Sequence, residues 1–228
     1  PEPGIFIDNK IILFDSLDFG INKTKTFSLD LSVNWTTLAP AFTKIGKPLK
    51  VLTFRRTAFS ALKKNNRSLI YAFGGAIPVN ESDWNLGIIV NDFYQIDVES
   101  FSISSVISEG ITPSERCDLS SIFDDKGKLY IWGGYTRGAI SDQAMHIFDT
   151  FDSTWNRILP SHVPIQRAFY SVTFRDGKIY YIGGTFANTD ECVDIHEILI
   201  YDTLNTNDNP WTIRLRDIYI TAMLTQPF

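Results

Sequence analysis

Few side chains in this chain could do covalent or redox chemistry. His146, His162 and His196 are its only histidines, and Cys117 and Cys192 its only cysteines. A metal centre or a nucleophilic site needs such groups to converge, with a base beside the nucleophile and a third group to orient it. These residues are spread over separate segments, with no C-x-x-C, G-x-S-x-G or P-loop pattern among them. No carboxylate pair stands out as acid and base. The stretch "DECVDIH" brings Asp190, Glu191, Asp194 and His196 close in sequence. They could approach a cation, but they read more simply as an acidic surface loop. The cysteines are either two free thiols or one bridge. No cofactor and no catalytic residue is expected.

The other chemistry open to the chain is recognition. Arg56, Arg116, Arg167 and Arg216 recur at one place in an internal repeat. A ring of guanidinium forks around an axis would suit carboxylates. The structural alternative pairs each Arg with a turn Asp or a carbonyl of the neighbouring repeat. It is favoured, because the position belongs to the repeat rather than to one loop. Trp84, in the polar segment "AIPVNESDWNLG", and Tyr135 are candidate contact aromatics. For Trp84, packing onto its own blade is the favoured alternative, since large aromatics are mostly buried.

The elements that would position these residues are short and repeated. Glycine pairs stand at Gly74-Gly75, Gly133-Gly134 and Gly183-Gly184, spaced by 59 and 50 residues. Each closes a short aromatic and aliphatic run that reads as a strand buried on both faces. A second strand follows each pair and ends in Asp97, Asp149 or Asp202, where the side chain can bond the backbone of a turn. A large aromatic comes next: Phe101, Trp155 or Trp211, each suited to wedge between packed sheets. Before each glycine strand lies another, opened by Arg in "RTAFSAL", "RCDLSSIF" and "RAFYSVTF". Turns such as "DDKGK" and "RDGK" make the intervening hairpins. "DNKIILFDS" is a worn first copy, and "RDIYITA" from Arg216 begins another. In "WTIRLRD" the alternation predicts that Trp211, Ile213 and Leu215 share a buried face. No window carries a capped helical period.

Composition sets the outer limits. Of 228 residues, 44% are hydrophobic and 14% aromatic, enough for a packed core. The net charge of −5 and the lack of a basic stripe argue against a nucleic-acid partner. No apolar run approaches the roughly 18 residues that span a bilayer, so no membrane insertion by this segment is expected. The Pro1 start suggests that something upstream was removed or left out. Asn22, Asn34, Asn66 and Asn80 begin Asn-x-Ser/Thr triplets. About two are expected by chance, so the excess leans toward a glycoprotein that is secreted or at the cell surface.

Four short strands per repeat, with Gly-Gly, Asp and Trp in fixed order, resemble the kelch repeat. The likeness covers 4–49 (degenerate), 50–112, 113–165 and 166–215, with the first strand of a further repeat from 216. The wording "RAFYSVTF", "GKIYYIGG" and "ILIYDTLN" is also similar to kelch ectodomains of filamentous fungi. The resemblance implies an all-β kelch-type β-propeller, with four antiparallel strands to a blade and about four blades in one domain over 1–228. Kelch propellers usually have more blades, so a partial propeller or an unusually small ring is expected. Copper oxidases that resemble kelch proteins need His and Tyr to converge with a Tyr–Cys link, and this chain shows no such set. The expected function is a non-catalytic scaffold that binds a protein or peptide through loops on one rim. The long segments after the glycine pairs, 76–91, 135–144 and 185–196, would build that rim. The alternative is a kelch-fold enzyme fragment or a carbohydrate-binding domain, with Trp84 and Tyr135 stacking on sugars.

Overall fold

A computed structural model describes residues 4–15, 24–34, 40, 42–49, 56–78, 87–136, 143–187, 189, 191–205 and 209–215. Among them every regular element is a strand. Four main sheets follow one another along the chain, each an antiparallel meander. The first runs through Gly4–Ile7, Lys10–Asp15, Thr24–Asp30 and Phe42–Leu49. The second runs through Ala58–Lys64, Arg67–Phe73, Phe93–Asp97 and Ile103–Ser105. The third comprises Ser121–Phe123, Lys128–Ile131, Met145–Asp149 and Thr154–Ile158. The fourth comprises Ser171–Arg175, Lys178–Ile182, Glu197–Asp202 and Trp211–Leu215. The first strands of successive sheets touch one another, so each sheet is a blade that starts at a common axis and works outward. The third blade differs from the expected four strands. Glu109–Gly110 adds a short parallel strand to its outer edge, using backbone groups that would otherwise face water.

Local sequence accounts for the hairpins. Asp8-Asn9, Asn65-Asn66 and Asp176-Gly177 all have positive φ at both positions, as a two-residue turn matched to strand twist requires. Asp97, Asp149 and Asp202 accept backbone N–H bonds from Ser100, Phe151 and Leu204 at 2.9, 2.9 and 3.0 Å. Each also pairs with a base on the adjacent strand: Arg67 at 2.5 Å, Lys128 at 3.5 Å, and Lys178. The N–H bonds of the Ser100 turn, together with Arg67, hold the Asp97 carboxyl down at about 2.

The core lies in the seams between blades. Phe14 of the first blade stacks on Phe59 of the second, centroids 4.5 Å apart. Phe101 packs into this same seam. Trp155 of the third blade sits 5.8 and 5.2 Å from Phe73 and Phe93 of the second, and 5.1 Å from Phe148 of its own. Trp211 of the fourth lies 4.8 Å from Trp132 of the third and 4.9 Å from Tyr201. The expected burial of Ile213 and Leu215 beside Trp211 does not occur, as they are 55% and 73% exposed. The third blade shows the same pattern, with Trp155 buried and the residues after it exposed. Blades diverge away from the axis, and in these two seams a ring as large as indole bridges the gap.

The glycine pairs lock the seams. Gly75 N–H donates to the Arg116 carbonyl at 2.9 Å, and Gly134 N–H donates to the Arg167 carbonyl at 2.8 Å. The same carbonyls lie 2.3 and 2.5 Å from where a Cβ on Gly74 or Gly133 would stand, and both glycines have positive φ. No side chain fits there, and no other residue accepts that backbone without strain. Among the described residues, a Cβ on Gly183 meets only Ile195 Cδ1, at 3.4 Å. Gly133→Ala is therefore expected to cost about 3 kcal/mol or more, and Gly127→Ala, whose Cβ would meet the Thr150 hydroxyl rather than a backbone carbonyl, about 1 kcal/mol. Urea unfolding of the two variants measures the difference; equal losses would contradict a carbonyl clasp.

Acid titration tests the turn carboxylates. The folded Asp97 carboxyl titrates at about 2, below its ordinary 3.8, so its stabilisation is present above about pH 4 and is lost as pH falls toward 2. Asp97→Asn should lower stability at neutral pH and flatten the acid limb, as followed by thermal midpoint against pH.

Candidate functional site

Inner strands begin, and glycine strands end, at the same end of the blades, so the segments after the glycine pairs also emerge there. A cavity of about 570 Å³ opens at this end, lined by Gly4 of the first blade and by residues of the other three. Its walls include Ala58, Phe59, Leu119, Ser120 and Tyr170. Arg56, Asp118 and Phe169 also line it. These three share one structural position. Ala58 pairs with Phe73 and Ser171 with Ile182, the residues just before the glycines. Arg56 and Phe169 thus each stand two residues ahead of that level, and the third blade's register puts Asp118 there too. All three have left-handed backbone, with φ of 57, 54 and 58°. They are joined in a chain of hydrogen bonds from blade to blade: Asp118 N–H to the Arg56 carbonyl at 3.0 Å, and Phe169 N–H to the Asp118 carbonyl at 2.8 Å.

This register corrects the alignment of the arginines. Arg56 does not stand where Arg116 and Arg167 do; it lies two residues further along its blade. The second blade has longer inner strands, seven residues each, and that offset hides in the spacing of the repeat. The side chains differ accordingly. Arg56 reaches across to the third blade and grips Asp118 with both prongs, Nε to Oδ1 at 2.8 Å and the second nitrogen to Oδ2. That bond raises the Arg56 pKa above its ordinary value. Its guanidinium also sits 6.0 Å from the Tyr135 ring centre. Tyr135 is exposed and is held by a two-way backbone bridge to Cys117.

Arg116 and Arg167, by contrast, are 0% and 1% exposed. Arg116 donates to the Gly133 carbonyl at 3.1 Å, the Ser114 carbonyl at 3.1 Å and Ser114 Oγ at 3.0 Å. Arg167 pairs with Glu197, while burial lowers its pKa. Their side chains brace their own blades, and their carbonyls hold the preceding one. Arg216 and Trp84 lie outside the described residues.

The structure therefore puts Arg56 at the cavity mouth with Tyr135 beside its guanidinium, leaves Arg116 and Arg167 in the interior, and adds Asp118 and Phe169. Sequence reasoning missed this last pair. The available signal was that they follow Arg116 and Arg167 by the same two residues and yet differ completely in type. Cys117 is buried and Cys192 exposed, and both are free thiols. Burial pushes the Cys117 thiol up to about 12, so it is not a ready nucleophile. No group of three or more His, Cys, Asp or Glu able to hold a metal occurs among the described residues. In the acidic loop, Asp194 is taken up locally by His196, with Nδ1 at 2.8 Å.

The family profile described as the KLHDC2/KLHL20/DRC7 Kelch-repeats domain matches residues 53–215. The chain belongs to the kelch-repeat family. An F-box/kelch-repeat protein of Arabidopsis thaliana is 31% identical over 93 residues, 40% of this chain. The match spans 24% of that protein's length. In this chain Arg116 supplies several buried hydrogen bonds at once. Arg116→Ala should cost about 3 kcal/mol, while Arg56→Gln, which removes a partly exposed ion pair, should cost about 1 kcal/mol or less. Denaturant midpoints of the two variants check this ordering, and the reverse order would place the structural load on the rim.

Proposed function

We propose that this kelch chain is a non-catalytic scaffold that captures a protein or peptide at the end where the inner strands begin. Kelch-repeat domains are in general protein-interaction scaffolds. The observation that carries the reading here is the hydrogen-bonded set Arg56, Asp118 and Phe169 around the cavity. One backbone geometry presents three unlike side chains at equivalent places. A rigid frame with variable groups at its mouth is what recognition by loops on a scaffold requires. Tyr135 adds an aromatic surface beside them.

Of the two aromatics named for the carbohydrate reading, Tyr135 is the one among the described residues, and one face of that ring is engaged by Arg56. The protein-partner reading uses the whole mouth. Selection of a random phage-displayed peptide library against the folded chain tests it, followed by NMR titration with the recovered peptides. The amide signals of Arg56, Asp118 and Phe169 are expected to shift first. Shifts confined to the outer strands, or binding to a glycan array with no peptide recovered, would overturn the reading.

A further inference from the structure

The mouth of the cavity also indicates which kind of side chain it takes. Its fixed charges are already matched. Arg56 is committed to Asp118 through two hydrogen bonds, and Asp118 itself is almost wholly covered by the pair. Among the described residues, Arg116 and Arg167 are also near this end, and both are buried and bonded within their blades. An incoming carboxylate would reach only the remaining N–H groups of Arg56, on a guanidinium whose charge Asp118 already matches, and would sit near Asp118 as a like charge. The walls below are largely apolar, with Ala58, Phe59, Leu119 and Tyr170 around a volume of about 570 Å³. That is ample for one indole or phenyl group with its neighbouring backbone.

Phe169 is the second observation. It is 60% exposed, although large aromatics are mostly buried. It is also held at φ 58°, a conformation that costs a side chain of this size and that Asn or Gly would accept more readily. Its N–H bond to the Asp118 carbonyl keeps it there, over the mouth. Phe169 belongs to neither buried core cluster among the described residues. An exposed ring in a strained backbone position marks a contact residue rather than a core one.

We propose that the cavity receives an uncharged aromatic or branched aliphatic side chain of a peptide partner, stacked on Phe169. In this arrangement the Arg56–Asp118 pair serves as a neutral polar wall and not as a carboxylate receptor. The inference rests on the protein-partner reading above and narrows it to an apolar anchor.

The test uses the peptides recovered by phage selection, measured against wild type, Phe169→Asn and Arg56→Gln at low and high salt. Phe169→Asn should fold with a thermal midpoint at or above wild type, because Asn tolerates the left-handed backbone. The peptides should share a Trp, Phe, Tyr or Leu position, bind Phe169→Asn about tenfold or more weakly, and depend little on salt. N-acetyltryptophanamide should compete with them and shift the Phe169 amide. Acid-rich peptides that lose affinity in Arg56→Gln and in high salt would overturn the inference while leaving the scaffold reading intact. So would peptides that bind at the mouth but ignore both substitutions. Recovery of no peptide at all would overturn the scaffold reading itself.

Discussion

The architecture depends on one close approach between backbones. A carbonyl from the start of one blade reaches the glycine pair of the blade before it, accepts its N–H, and fills the space of the missing Cβ. The hydrogen bond alone is worth about 1 kcal/mol, as most such bonds are. Its importance lies in geometry. Two wedge-shaped sheets can slide past one another along an apolar seam at small cost, because the hydrophobic effect has no direction. A carbonyl lodged against a left-handed glycine cannot slide. The clasp sets the stagger of the blades, and the aromatic rings then fill whatever seam that stagger leaves.

The filling is graded along the radius. Near the axis small groups suffice: Ser60 and Ser121 of neighbouring inner strands meet at 2.6 Å. Midway the seam takes phenyl and phenol rings, such as Tyr71 against Phe123 at 5.2 Å. At the outer strands of the third and fourth blades tryptophan spans it, and residues further along those strands stand in water. Tyr170 ties this gradient to the axial end. It is buried, and its single hydroxyl proton is shared between the Ser120 and Trp132 carbonyls of the previous blade. The positions that set the seam are thus few, and they are the ones that repeat.

That selectivity explains what was legible in the sequence. Gly74, Gly133, Asp97, Asp202, Trp155 and Trp211 each answer a demand made by a neighbouring blade or turn, so the same letter returns and the propeller can be read. Outer-strand alternation was misleading at Ile213, because period two describes which face a residue takes and not whether anything covers that face. Arg56 was misleading for another reason. It carries the letter of the buried brace, but the longer hairpin of the second blade moves it two residues toward the mouth, where the same guanidinium becomes a surface group bonded across to Asp118. Register is a three-dimensional property, and counting along a chain whose strands differ in length does not recover it. Asp118 and Phe169 could not be found by similarity, because their defining feature is that they differ.

The contrast between those two kinds of position has a functional consequence. At the clasp, backbone atoms do the work, and any change of residue is felt by two blades. At the mouth, backbone atoms again do the joining, through Arg56, Asp118 and Phe169, but their side chains leave the joint and enter the cavity region. The backbone joint makes no demand on the side chains beyond the strain of a left-handed residue, which all three bear alike. The Phe169 ring can therefore be exchanged without altering how the blades stack, whereas Arg56 and Asp118 add an ion pair across the joint. Stability and recognition are separated to within two residues along the same strand entry. A stiff frame of this kind loses little conformational freedom when a partner docks, so even a small contact area can yield useful affinity.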